Sequence, residues 1–275
     1  MIIDIIVAFN DVTITRNEAS KLGMNCKTLN GRVISIVDQM VIMANTLKYN
    51  WKEITYRLYA THSRNISPTS KNKLESCGYK LVRMEDNLLP DRTSNRINAY
   101  KDFTDGDFSM VCDCDLLFIK PEKFNTKKMI SAKLRNQPTN GIFKQYSDEV
   151  WKFLHKINNI SEQVFDNYHN RSHFNNGCIF VDNNKKHILK TNIESCAKNV
   201  LLNIETLNKH TATKHFLEEI IVSLAIMKTQ DYDYLPNKFN SIVSSSNGTE
   251  GYSMIHYASN NDVNKFRGYG LEKFL

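Results

Sequence analysis

The chain has 275 residues, of which 41% are hydrophobic and 24% charged; these are ordinary globular proportions, which exclude a disordered or fibrous chain and suffice for a substantial core. A formal charge of +7 permits an acidic partner, whether nucleic acid, an anionic membrane surface or a phosphate-bearing small molecule. The basic residues are scattered, in runs no longer than a pair such as Lys127–Lys128 or Lys185–Lys186, which excludes a basic tail.

Taken in order, the apolar run Ile2–Ala8 reads as a buried strand. Asp4 interrupts it and no basic leader precedes it, so it does not read as a signal peptide. Val33, Ile36, Val37, Met40, Val41, Ala44 and Leu47 recur at helical spacing. Tyr56–Thr61 reads as a second strand, and Ser67-Pro68 opens a helix that closes before Gly78. A third strand, Tyr79–Met84, is followed by a helix over Ser94–Phe103 and a fourth strand, Phe108–Cys112. Strands alternating with helices argue for a parallel, doubly wound sheet, in which ligands sit beyond the carboxyl ends of the strands.

Downstream, helices are expected over 147–158, 185–204 and 214–228, with a strand Gly177–Val181 between the first two. The Ser-, Asn- and Gly-rich stretch Ser241–Gly251 reads as a loop. Without repeats or a low-complexity linker, one domain spanning 1–275 is expected, with residues 1–120 as its nucleotide-binding half and 121–275 as its acceptor-side half. No stretch reaches the roughly 18 apolar residues of a membrane span, so any membrane association is expected to be peripheral. Cysteines at 26, 77, 112, 114, 178 and 196 are too few for a disulfide scaffold in a chain this long and suit a cytoplasmic, reducing compartment. Cys112 and Cys114 could in principle form a metal or redox pair, but no second pair of ligands accompanies them.

The sharpest local feature is Met110-Val-Cys-Asp-Cys-Asp-Leu-Leu-Phe-Ile119. Asp113 and Asp115 stand at a strand end inside an apolar frame, where carboxylates need a compensating partner. A hard divalent cation shared with substrate phosphates is one such partner; a turn with two solvated aspartates is the alternative.

A strand running into Asp-x-Asp, then an apolar segment ending in Lys120-Pro121, resembles the metal-binding motif of GT-A glycosyltransferases. Phe174-Asn175-Asn176-Gly177-Cys178-Ile179-Phe180-Val181-Asp182 is similar to the Phe-Asn-Ser-Gly strand of the glycogenin-like and galactosyltransferase-like (family 8-like) group. Leu235-Pro236 with Phe239-Asn240, and Ile255-His256-Tyr257, resemble two later motifs of that group, in the same order. The resemblance implies a mostly parallel α/β GT-A sheet, Rossmann-like and flanked by helices, with an elaborated C-terminal half. It implies transfer of a sugar from a nucleoside-diphosphate sugar, a UDP-sugar foremost, to a glycan, lipid-linked or protein hydroxyl.

Residue by residue, it implies that Asp113, Asp115 and His256 hold Mn²⁺ or Mg²⁺, the imidazole favouring Mn²⁺. Asp113 also takes part in donor binding. The loop Ala8-Phe9-Asn10 receives the nucleoside, Arg96 faces the diphosphate, and Asn175, Asn176 and Gly177 line the sugar pocket. The family's diphosphate-binding lysine has no close match, Lys265 and Arg267 being the nearest basic residues. Glu218 and Glu219 open a late helix where the family places an acidic residue against the acceptor; the resemblance inclines towards retention of configuration, and an inverting reaction would use one of the pair as base. A nucleotidyltransferase of similar fold would carry a Gly- and Arg-rich loop after the first strand, and residues 8–23 contain only Arg16 and Gly23 of those types. A basic nucleic-acid-binding protein would cluster its lysines, arginines and aromatics on one segment, which this chain does not.

Overall fold

An apolar run with a single internal acid suits a strand covered on both faces. In a computed structural model, which describes residues 1–9, 27–30, 32–85, 94–122, 127–134, 148–161, 174–210, 217–242, 250–257 and 271–275, this run is β1, Ile2–Ala8. Ile3, Ile5 and Val7 enter the core on one face and Ile6 the core on the other, as the two-residue period of a strand requires. Asp4 is wholly buried. Its carboxylate accepts from Arg57 Nε at 2.6 Å and from the Gly106 N–H at 2.7 Å, which offsets its desolvation.

A hairpin of β2, Thr28–Leu29, and β3, Arg32–Val33, leads to helix α1, Ile36–Asn50. The stripe expected from Val33 onward starts later because Ser35 caps the helix. Its hydroxyl accepts from the Asp38 N–H at 3.0 Å while Asp38 Oδ2 accepts from the Ser35 N–H at 3.0 Å, the reciprocal capping box. Next come β4, Thr55–His62, and α2, Pro68–Ser76, the latter capped by Ser67 and closed at Gly78 with φ of 93°, as its proline and glycine predict. Then follow β5, Tyr79–Arg83, α3, Ser94–Asn98, and β6, Phe108–Cys112. The helix expected to reach Phe103 stops at Asn98, where three-residue turns closing on Arg96, Ile97 and Asn98 carbonyls tighten its end.

The second half supplies β7, Leu116–Phe118, β8, Ile130–Leu134, α4, Asp148–Ile157, and β9, Phe174–Asp182. β9 is longer than the expected Gly177–Val181 because it pairs antiparallel with β6 on one side and β8 on the other, so Asn175 and Asn176 lie within it. After a short 3-10 turn come α5, Lys186–Leu202, α6, Ile204–His210, and α7, Leu217–Thr229. β10, Tyr232–Tyr234, β11, Ser241–Ile242, and β12, Met254–His256, precede a last 3-10 turn at Leu271–Phe274. Ser241 and Ile242, expected in a loop, thus form strand β11, and residues 243–249 of that loop lie outside the described residues.

The seven-stranded sheet has the order β10-β8-β9-β6-β1-β4-β5. β6, β1, β4 and β5 run parallel, β9 runs against its two neighbours, and β10 is parallel to β8. Val37, Met40, Met43, Ala44 and Leu47 of α1 pack on the face that carries Ile3 and Ile5. The opposite face packs against α5 and α7. α7 is buried on nearly every side, as a helix apolar all round requires. A small sheet, β11-β12-β7, lies just beyond the end of β6 and sets the registration His256 opposite Leu116.

Candidate functional site

β6 is apolar throughout and ends at Cys112. The next three residues turn out of the sheet, tied down by Asp113 N–H donating to the Gly177 carbonyl at 2.9 Å. A two-residue spacing turns Asp113 and Asp115 the same way and Cys114 the other. The Cys114 sulfur lies 4.0 Å from Gln39 Oε1, against the α1 core. Burial, then the charges of Asp115 and Asp113, hold its thiol well above the ordinary value, so Cys114 stays a thiol packed against α1. Cys112 is likewise buried, its thiol donating to the Met110 carbonyl.

β12 carries His256 to the same place through its pairing with β7. Its Nε2 stands 3.3 Å from Asp113 Oδ2 and 3.0 Å from Asp115 Oδ1. Among the described residues these three form the one cluster of His, Cys, Asp or Glu groups with metal-ligand spacing, their ligand atoms all within 4.8 Å of one another. Burial would raise the Asp115 carboxyl, but the charges of His256 and Lys27 outweigh it and hold the carboxyl well below its usual range. Burial would lower His256, but Asp115, by charge and hydrogen bond, and Asp113 raise it above its ordinary value.

Around this centre stands a ring of further polar groups. Arg96, on α3, donates to Asp113 Oδ1 and to the Asn176 carbonyl. Its Nε lies 3.0 Å from Glu218 Oε1. Desolvation opposes the Arg96 charge, and Asp113 and Glu218 restore it; the guanidinium therefore joins the acidic pair to α7. Glu218 is buried in the first turn of α7, and burial, only partly countered by Arg96, pushes its carboxyl up to about 8. Glu219, the other acid of the pair, is half-exposed; it is Glu218 that faces the centre.

Gly177 is required for a reason its sequence context did not reveal. A Cβ there would stand 2.5 Å from His256 Nδ1 and 2.9 Å from Asn175 Oδ1, so the space is taken by the imidazole itself. Asn175 Oδ1 accepts from the Gly177 N–H at 2.8 Å and braces the same strand. The Asn176 amide is also buried and reaches the Glu218 carboxyl, while Arg96 Nε and Glu218 Oε1 face each other and His256 Nδ1 is buried with no hydrogen-bond partner among the described residues. Buried polar groups normally have their hydrogen bonds met, and so many of them gathered round one acidic pair suit a polar ligand. Two carboxylates and an imidazole, with Asp115 held ionised, are a donor set that fits Mn²⁺ or Mg²⁺.

The remaining expected residues lie nearby or beyond the description. Ala8 ends β1, and Phe9 is buried in the α1-side core, its N–H donating to the Thr61 carbonyl at 2.9 Å and its ring 6.1 Å from that of His62. Asn10, Lys265 and Arg267 lie outside the described residues. Two basic groups were missed by the sequence reading. Lys27 donates to Asp115 Oδ2 at 2.5 Å. Lys133, whose neighbour in the β8–β9 register is Asn175, donates to Ser241 Oγ at 3.1 Å. Neither stands in a motif, and only the long-range pairing of strands reveals them.

No family model and no curated protein matches the sequence. Solved structures do match in fold. An active-site mutant of the galactosyltransferase LgtC superposes with a TM-score of 0.59 at 12% identity, over 98% of this chain and 95% of that one. LgtC in complex with donor and acceptor sugar analogs gives 0.54 at 11% identity, over 98% and 93%. Mouse xyloside xylosyltransferase 1 in its apo form gives 0.53 at 10% identity, over 93% and 97%. The chain thus has the GT-A fold of these glycosyltransferases, as its motifs led one to expect.

Proposed function

We propose that the protein is a metal-dependent glycosyltransferase that moves a sugar from a nucleoside-diphosphate sugar, a UDP-sugar foremost, to an acceptor hydroxyl. The observation that carries this reading is the convergence of Asp113, Asp115 and His256 at the end of β6, where ligands bind in open α/β sheets. Those three residues would hold Mn²⁺ or Mg²⁺, which supplies Lewis-acid neutralisation of the departing diphosphate. Arg96 adds a fixed positive charge beside it, stabilising the leaving group as its charge grows. The buried amide of Asn176, beside Glu218, offers a donor and an acceptor to sugar hydroxyls, an arrangement that discriminates strongly among sugars.

In the transfer, the acceptor oxygen bonds to the anomeric carbon as the bond to the phosphate oxygen breaks, and the hydroxyl proton leaves with the nucleoside diphosphate. Glu218, its carboxyl raised by burial and its Oε1 held 3.0 Å from Arg96 Nε, is fixed by a cation rather than free to take the acceptor's proton. That favours retention of configuration over an inverting reaction catalysed by Glu218 or by half-exposed Glu219. The acceptor is a glycan, lipid-linked or protein hydroxyl. No helix among the described residues is long and apolar enough to cross a membrane. Incubation with a panel of nucleotide sugars and Mn²⁺ should release nucleoside diphosphate from one of them and lose that release in EDTA. NMR of the product should show the donor's anomeric configuration; an inverted product would assign a carboxylate of α7 the role of base.

A further inference from the structure

Nothing in the sequence singles out Lys27, which precedes β2 and lies 88 residues from Asp115. Yet only 6% of its side chain is exposed, and lysines are almost never buried unless paired. Its ammonium donates to Asp115 Oδ2 at 2.5 Å and to the Tyr257 carbonyl at 3.1 Å, and it sits 4.5 Å from the centre of the Tyr257 ring. Arg96 does the corresponding thing on the other side, taking Asp113 by Oδ1. The two oxygens left over, Asp113 Oδ2 and Asp115 Oδ1, are the ones that face His256 Nε2, at 3.3 and 3.0 Å. Each carboxylate therefore has one oxygen fixed by a cation and one turned to a common point.

This arrangement does two things. It orients the carboxylates, and it sets two positive side chains against two negative ones. A divalent ion entering the common point would meet oxygen ligands but little net negative charge, and ligand charge governs how tightly such sites hold their ion. We propose that Lys27 is a positioning residue that, with Arg96, turns one oxygen of each aspartate to the ion and neutralises the pair, so that the ion is held firmly only together with the donor's diphosphate. The inference rests on the transferase reading and adds to it an interdependence of ion and nucleotide, which must be reciprocal.

The test is calorimetric titration of Mn²⁺ into the full chain, stripped with EDTA and dialysed, without and with saturating UDP. UDP should tighten Mn²⁺ binding to the wild type by about tenfold or more, the range typical of coupled sites. Lys27→Gln keeps a donor for the Tyr257 carbonyl but removes a charge near the ion, so it should bind Mn²⁺ alone about tenfold more tightly, and the gain from UDP should shrink. Lys27→Arg, which keeps the charge, should behave as the wild type. Mn²⁺ binding by Lys27→Gln that is unchanged or weaker, or loss of folding in both variants, would overturn the proposal. So would tight Mn²⁺ binding by the wild type without UDP, though the transferase reading would then stand. Absence of Mn²⁺ binding both without and with UDP would remove both.

Discussion

At the residue scale, the acidic pair, His256 and Gly177 form a mutually dependent set. The His256 ring occupies the space in front of Gly177, so Gly177→Ala must displace the ring or the strand. Overpacking of this kind costs about 1–3 kcal/mol, and the expected result is a lower thermal midpoint together with weaker metal binding. Calorimetry and Mn²⁺ titration of the variant check both halves. A variant with wild-type stability and affinity would show that the strand yields without consequence.

The charges of the same set give a pH dependence. His256, ordinarily near 6.5, is raised in the metal-free fold, against its burial, by Asp115 and Asp113. Its stabilising contribution is therefore complete below the ordinary value and is lost as pH rises through the raised one. Asp115, ordinarily near 3.8, is lowered despite burial by His256 and Lys27. Its contribution is present above that value and disappears only in stronger acid. The metal-free thermal midpoint should thus fall as pH climbs past the histidine range, and His256→Asn should abolish that step. Metal binding has the opposite slope, because a ligating imidazole must shed its proton. Melting curves across this range in EDTA and in Mn²⁺ should diverge; parallel curves would remove His256 from the ligand set.

At the scale of elements, caps and pairing explain both what could be read ahead and what could not. Ser67-Pro68 and Gly78 bounded α2 correctly because both signals are local. The start of α1 was misjudged, since the apolar period continued through Val33 while the Ser35–Asp38 box decided the boundary. Ser35→Ala removes one half of that box and should cost about 1 kcal/mol, measurable as a lower denaturation midpoint with unchanged slope. An unchanged midpoint would show that tertiary packing alone holds α1 in place. β9 was legible only in its apolar half. Its polar N-terminal residues, Asn175 and Asn176, are strand because β8 pairs beside them, Lys133 opposite Asn175, and such pairing leaves no mark in a single sequence.

Asp113, Asp115 and His256 were legible for another reason. Motifs in a fixed order imply a site even where the intervening chain is unreadable, and the geometry brings the three together. Arg96 was visible only as one basic residue on a helix, and its bridge from Asp113 to Glu218 depends on where α7 packs. The sequence left Glu218 and Glu219 equivalent. Burial separates them, because only one of two adjacent residues on a helix can face the sheet. Lys27 was invisible, since its partner is contributed by a different strand end.

For the whole molecule, the sheet, the small β11-β12-β7 sheet and α7 converge at the carboxyl end of β6, where, on the proposed function, an ion and a nucleoside diphosphate bind together. The most direct measurement is thermal unfolding of the intact chain with UDP and other nucleoside diphosphates, in Mn²⁺, in Mg²⁺ and in EDTA, beside Asp115→Ala. A ligand present at about 100 times its Kd adds about 2.7 kcal/mol to the native state, and since each kcal/mol moves the midpoint of a larger domain by about 2–4 °C, the rise should be about 5–10 °C. Joint binding predicts such a rise with one nucleotide in Mn²⁺, lost in EDTA and lost in Asp115→Ala. A midpoint that no nucleotide moves in either metal, or a rise that persists in EDTA and in Asp115→Ala, would contradict it.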